Sequence, residues 1–188
     1  MIKIGITGSL SSGKTTASKI LSSNKGPLFC ADSIVKKLYL KNSFKSKIEK
    51  KFAIKKNSNV KKVLKERILK EKLNIKELEK IIHPIVRKEM KKFINKNKSK
   101  KIIFFEIPLL IESKLMKHFD VILFIKASKQ IRLKRFLNKG GSKKIFEILN
   151  KKQLSEEKKV KFSDHVIVNE KNKKILKKSL LDILELYE

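Results

Sequence analysis

Gly8-Ser9-Leu10-Ser11-Ser12-Gly13-Lys14-Thr15, followed by Thr16, is the stretch of this 188-residue chain best equipped to do chemistry. It satisfies the G-x-x-x-x-G-K-[ST] pattern in full. Gly8 and Gly13 permit a tight loop whose backbone N–H groups converge on phosphate oxygens, and a helix opening near Lys14 adds its positive end. Lys14 would reach the β- and γ-phosphates, and the Thr15 hydroxyl a magnesium ion. The pattern needs a strand before it and a helix after it. KIGIT (Lys3 to Thr7) reads as a buried strand and Lys14 to Ser23 as a helix, so a nucleoside triphosphate is expected with Mg²⁺. The loop alone leaves open whether its phosphate drives a motor, sets a switch or is transferred.

Aspartate is rare, limited to Asp32, Asp120, Asp164 and Asp182. Asp32 falls at the end of PLFC, which reads as a second strand, and ligands of parallel sheets gather outside the carboxyl ends of their strands. A carboxylate there can take the proton of an attacking hydroxyl. Its other reading is the N-cap of a helix beginning near Ser33. Glu106, at the end of KIIFFEI, reads as support for magnesium through a water, as an orienter of the acceptor, or as a structural carboxylate. His83, before Pro84, reads as a helix-start residue or a substrate contact.

These residues need a scaffold, and the chain supplies an alternating one. VILFIKA (Val121 to Ala127) and HVIVN (His165 to Asn169) add a fourth and a fifth strand. No strand appears from Ser33 to about Lys98, where Ile75, Leu78, Ile81 and Ile82 have helical spacing and Pro84 is expected to open a new helix. Lys129 to Lys161 reads as charged helix interrupted at Gly140-Gly141, and Lys173 to Leu186 as a closing amphipathic helix. Strands separated by helices argue for a parallel α/β sheet covered on both faces.

Composition narrows the class. The 49 Lys plus Arg against 18 Asp plus Glu give a net charge of +31, a figure at home in nucleic-acid binders. Yet only four of the cations are arginines (Arg67, Arg87, Arg132 and Arg135), the lysines are spread from end to end, and aromatics make up 7% with no Trp. The expectation is a solvated lysine surface without a specific nucleic-acid partner. Where lysine is the default cation, Arg132 and Arg135, three residues apart, stand out as a pair. The single Cys30 allows no internal disulfide, and no apolar run approaches bilayer length. Together with the immediate entry into a strand, without a secretory leader, this leads to the expectation of a cytoplasmic protein.

Five blocks, ITGSLSSGKTT, CADSIVKKL, LEKIIHPIVR, FFEIPLLIE and SDHVIVN, in this order and spacing, resemble the dephospho-CoA kinase family. The resemblance implies a P-loop NTPase fold like that of nucleoside monophosphate kinases, with five parallel strands in the order 2-3-1-4-5. It implies one domain, with residues 1–32 and 99–188 as nucleotide-binding core, 33–98 as helical substrate insertion and 129–161 as lid. The implied activity is ATP-dependent phosphorylation of the ribose 3′-hydroxyl of dephospho-CoA by a monomer.

In the resemblance, Ser11 to Thr16 form the ATP-phosphate segment. Asp32 matches the second aspartate of an Asp-Ala-Asp motif and acts as base on the 3′-hydroxyl, while Cys30 stands where the first aspartate is usual. His83, Arg87, Glu106, Pro108 and Leu109 match the substrate side. Arg135 matches a phosphate-facing arginine. Lys139 replaces a second arginine, which weakens the clamp there or moves it to Arg132, because lysine lacks the bidentate fork. Asn169 matches an asparagine near the adenine, though the glycine that often follows is missing.

Overall fold

The computed structural model describes residues 1–23, 25–70 and 73–188. Five parallel strands, β1 (Ile2–Gly8), β2 (Leu28–Cys30), β3 (Ile102–Glu106), β4 (Val121–Lys126) and β5 (His165–Val168), form one sheet in the order β2-β3-β1-β4-β5. The inner strands β3 and β4 carry near-continuous apolar runs, IIFF and VILFI, because both of their faces are covered. All five residues of β3 are buried, as are Val121 through Ile125 of β4. The register aligns Ile6 and Cys30 with Glu106 and Gly8 with Ile125, so the carboxyl ends of the inner strands finish together.

The helices are α1 (Lys14–Ser22), α2 (Ala31–Leu38), α3 (Asn42–Lys51), α4 (Val60–Leu69), α5 (Ile75–Lys96), α6 (Lys129–Leu137), α7 (Lys143–Lys151), α8 (Glu156–Lys161) and α9 (Lys173–Glu185). Among the described residues no helix is long and apolar enough to cross a membrane.

The chain divides into two compact units, Met1–Cys30 with Ile94–Glu188, and Ala31–Phe93. In the first, Ala17 and Leu21 of α1 and Leu176, Leu180 and Leu184 of α9 pack on Ile4, Ile6, Phe104, Leu123 and Ile167 of the sheet. The α9 spacing of four places its three leucines on one stripe, as an amphipathic helix requires. The break between α6 and α7 falls at Gly140, whose φ of +78° suits glycine, and at Gly141, where a side chain would run into the Phe136 ring.

The second unit has its own core of Leu38, Phe44, Ile48, Phe52, Ile54, Val60, Leu64, Leu78 and Ile82. Two expectations change here. Pro84 does not open a new helix but lies inside the continuous 22-residue α5. An interior proline removes a backbone donor and crowds the preceding turn, at a cost of ~3 kcal/mol. Buried residues on both sides, Leu78 and Ile82 before it and Met90 after it, anchor the helix through that cost. Asp32 is the second residue of α2 and not the residue before the helix, so it is not the N-cap.

Candidate active site

The loop from Gly8 to Thr15 connects the carboxyl end of β1 to α1 and is built around close backbone approach. A side chain at Gly8 would meet the Ile125 carbonyl and the Ser12 hydroxyl, and one at Gly13 the Asn169 amide. Gly13 also has a φ of +100°, which L side chains rarely adopt, and Ser11 reaches +59°. Gly13 caps α1 without any side-chain hydrogen bond, whereas α4, α7, α8 and α9 are capped by Asn59, Ser142, Ser155 and Asn172. A side-chain cap would occupy the donors that an anion at a helix N-terminus uses.

Lys14 is buried within the loop and donates to the carbonyls of Gly8 and Ser9, both at 2.9 Å. The Ser12 hydroxyl is fully buried and, among the described residues, has no hydrogen-bond partner. A buried hydroxyl normally finds a partner. This one, inside a glycine-lined cradle with a lysine, fits a phosphate oxygen.

Glu106 is 3% exposed and closes the base of the loop. It accepts from the Thr15 hydroxyl at 2.5 Å through Oε1 and from the Ser18 hydroxyl at 2.9 Å through Oε2. The hydroxyl expected to meet magnesium is thus oriented by an acid at the end of the neighbouring strand. That donor set, one hydroxyl and one carboxylate, consists of the hard oxygens magnesium prefers. Thr16 is exposed on the next position of α1.

Two side chains hold the inner limb of the loop. Arg135 and Asn169 both donate to the Ser12 carbonyl, at 3.2 and 2.8 Å. Asn169 is buried and its own N–H donates to Lys126 O at 2.8 Å, so its position is fixed at the end of β5. Lys139 lies exposed in the turn after α6. The Pro108 carbonyl accepts from the Thr7 hydroxyl at 3.1 Å, and Leu109 is half-buried beside it.

Arg132 is a correction. Its expected alternative role was a phosphate clamp, but its fork serves the protein instead. It is 4% exposed, donates to Ala127 O at 3.0 Å and to Asn150 Oδ1 at 2.7 Å, and pairs with Glu156 at 3.2 Å. Burial pulls its guanidinium below the ordinary arginine range, with Glu156 and Glu147 opposing that shift. Glu156 also accepts from the Ser9 hydroxyl at 2.8 Å, and Gln153 Oε1 accepts from Leu10 N–H at 3.1 Å. Lys159, fully buried, pairs with Glu112 at 2.7 Å. A charged helical stretch carries no sign in its sequence of which of its charges are buried.

Asp32, His83 and Arg87 belong to the second unit. Asp32 is exposed in the first turn of α2. His83 and Arg87 are four residues apart on α5, hence on one helical face, with His83 half-buried and Arg87 exposed.

With this geometry in place, the similarities to known proteins take on meaning. Residues 2–174 match the family model described as dephospho-CoA kinase. A Fusobacterium nucleatum dephospho-CoA kinase is 36% identical over 174 residues, covering 90% of each chain. One from Bartonella henselae is 33% identical over 187 residues, covering 97% of this chain and 96% of its own. A crystal structure from Thermus thermophilus superposes with a TM-score of 0.85 over 100% of this chain and 98% of that one, at 24% identity, which speaks to the fold.

Proposed function

The chain belongs to the dephospho-CoA kinase family, and from that premise we propose that it transfers the γ-phosphoryl group of ATP to the ribose 3′-hydroxyl of dephospho-CoA, giving CoA and ADP. The observation that carries the reading on this chain's own residues is the loop itself. A buried lysine, an unsatisfied buried serine hydroxyl and an acid-oriented threonine are gathered at one strand end.

Phosphoryl transfer asks a protein mainly to position groups and to offset charge. Gly8, Ser11, Ser12, Gly13, Lys14, Thr15 and Thr16 supply the phosphate cradle, with the α1 N-terminus behind it. Lys14 offers a point charge, and Arg135, already on the loop through Ser12 O, offers a planar fork for the transferring group. Lys139 would add charge from the turn after α6. Thr15, held by Glu106, would bind Mg²⁺, which supplies neutralisation of phosphate charge when bound. Asn169 orders the loop beneath the nucleotide. Asp32 would take the proton of the 3′-hydroxyl as that oxygen attacks, and His83, Arg87, Pro108 and Leu109 are the residues that the family likeness assigns to the acceptor. In this reading Ala31–Phe93 is the acceptor-binding insertion and residues 129–161 the lid, and the enzyme works as a cytoplasmic monomer.

Incubating the protein with ATP, Mg²⁺ and dephospho-CoA should yield CoA by chromatography. Its kcat/KM should exceed that for adenosine, AMP or pantothenate by at least ~100-fold, about 2.7 kcal/mol of transition-state binding. A comparable rate with AMP would refute the acceptor assignment in favour of a nucleotide kinase.

A further inference from the structure

The α6–α8 segment does more than carry Arg135. It grips the outer limb of the phosphate loop through side chains that the proposed reaction leaves without a role. Ser9 Oγ donates to Glu156 Oε1, Leu10 N–H donates to Gln153, and Leu10 O accepts from Arg132 at 3.5 Å. Glu156 is therefore a carboxylate one hydrogen bond from a loop that must receive a polyanion. Left alone, its charge would oppose the ligand. Arg132 meets that same oxygen, Oε1, with its Nη2, and is held there by Ala127 O, Asn150 and the Phe146 ring 5.7 Å away.

We infer that Arg132 and Glu156 are a positioning pair for the phosphate loop, in which Glu156 fixes Ser9 and Arg132 cancels the carboxylate charge so that the loop stays receptive to phosphate. The inference rests on the proposed reading only in taking a nucleoside phosphate as the loop's ligand. Sequence separation argues for a built contact, since Ser9 and Glu156 lie 147 positions apart. Two lysines of the same α6–α8 segment are engaged with other groups. The buried Lys159 is engaged with Glu112 and Gln153. Lys129 pairs with Glu147, which also faces Arg132 electrostatically.

The two partners should respond with opposite sign, which a merely structural ion pair would not do. With R132M, the uncompensated carboxylate should weaken ADP binding by roughly 10-fold or more, the scale of one unit charge near a bound anion. E156Q keeps a hydrogen-bond acceptor for Ser9 and adds net positive charge, so it should bind ADP at least as tightly as the parent. The R132M/E156Q double should return to within about 3-fold of the parent, because it removes both charges together.

Binding is measured by calorimetry on the full chain with no acceptor present, and folding by thermal melting. If R132M alone is unfolded while the double folds and binds ADP, the inference stands, because only the uncompensated carboxylate separates the two. Equal weakening in both singles without recovery in the double would overturn it, as would a double that fails to fold or an R132M that binds normally. If the parent binds ADP yet makes no CoA, the acceptor assignment fails and this inference survives.

Discussion

Glu106→Gln separates a magnesium-supporting acid from a structural one. The amide keeps the volume, one acceptor oxygen and the packing at the end of β3. It loses the charge and turns one acceptor into a donor. The stability cost can be bounded from the geometry. Glu106 accepts two hydroxyl bonds, from Thr15 and Ser18. Bonds to a charged acceptor exceed neutral ones by about 1 kcal/mol each, so roughly 2 kcal/mol is at stake. Neither hydroxyl is stranded, since Thr15 is exposed and Ser18 Oγ has a second acceptor in Thr15 O at 3.2 Å. Relief from burying a charge works in the opposite direction.

The net change should stay within about 2 kcal/mol, a melting shift below about 8 °C for a chain of this size. Activity should fall much further. Loss of an outer partner of a metal ligand typically costs about 10- to 100-fold. The assay is CoA formation against Mg²⁺ concentration, in parallel with thermal melting. The expected result is a kcat lowered at least ~10-fold at low Mg²⁺ and partly recovered at high Mg²⁺, with a small melting shift. Unchanged kcat with a large drop in melting temperature would refute the reasoning and leave Glu106 as a structural carboxylate.

Asp32→Asn keeps the shape and removes the base, so kcat should drop by roughly 10²-fold or more while ATP affinity changes little. Normal turnover with a lower melting temperature would instead assign Asp32 to the stability of the first turn of α2, where an acid suits the helix dipole. The lysine surface should bind RNA and duplex DNA without sequence preference. That binding should weaken by about 10³-fold or more between 50 and 200 mM salt if six or more phosphates are contacted. Sequence-selective binding that survives the higher salt and responds to ATP would show that the +31 charge has a use of its own.

The parts of the fold written in short-range pattern were legible. Strands such as β3 and β4 announce themselves because a doubly covered strand reads as a near-continuous apolar run, IIFF and VILFI, and the phosphate loop because glycine spacing and lysine are obligatory there. Pro84 misled for a local reason. Proline reports only a backbone penalty, whereas the continuity of α5 is decided by the burial of Leu78, Ile82 and Met90 about it. Propensity was outweighed by tertiary packing, which no window of residues around Pro84 contains.

The arginine pair shows where sequence reading of a site ends. Arg132 and Arg135 lie three residues apart on one helix and share a side-chain chemistry, yet they divide the work. Arg135 reaches the loop at Ser12 O and remains partly exposed, so its fork can still face a ligand. Arg132 is drawn into the protein by Ala127 O, Asn150 and Glu156, which engage its Nε, Nη1 and Nη2 in turn. What separates them is the position of a carboxylate 24 residues downstream of Arg132, in a stretch whose charges are mostly lysines. Glu147, Glu156 and Glu157 are the acids of this stretch, and spacing alone does not choose among them. Only the folded loop, which brings Ser9 to Glu156, selects it.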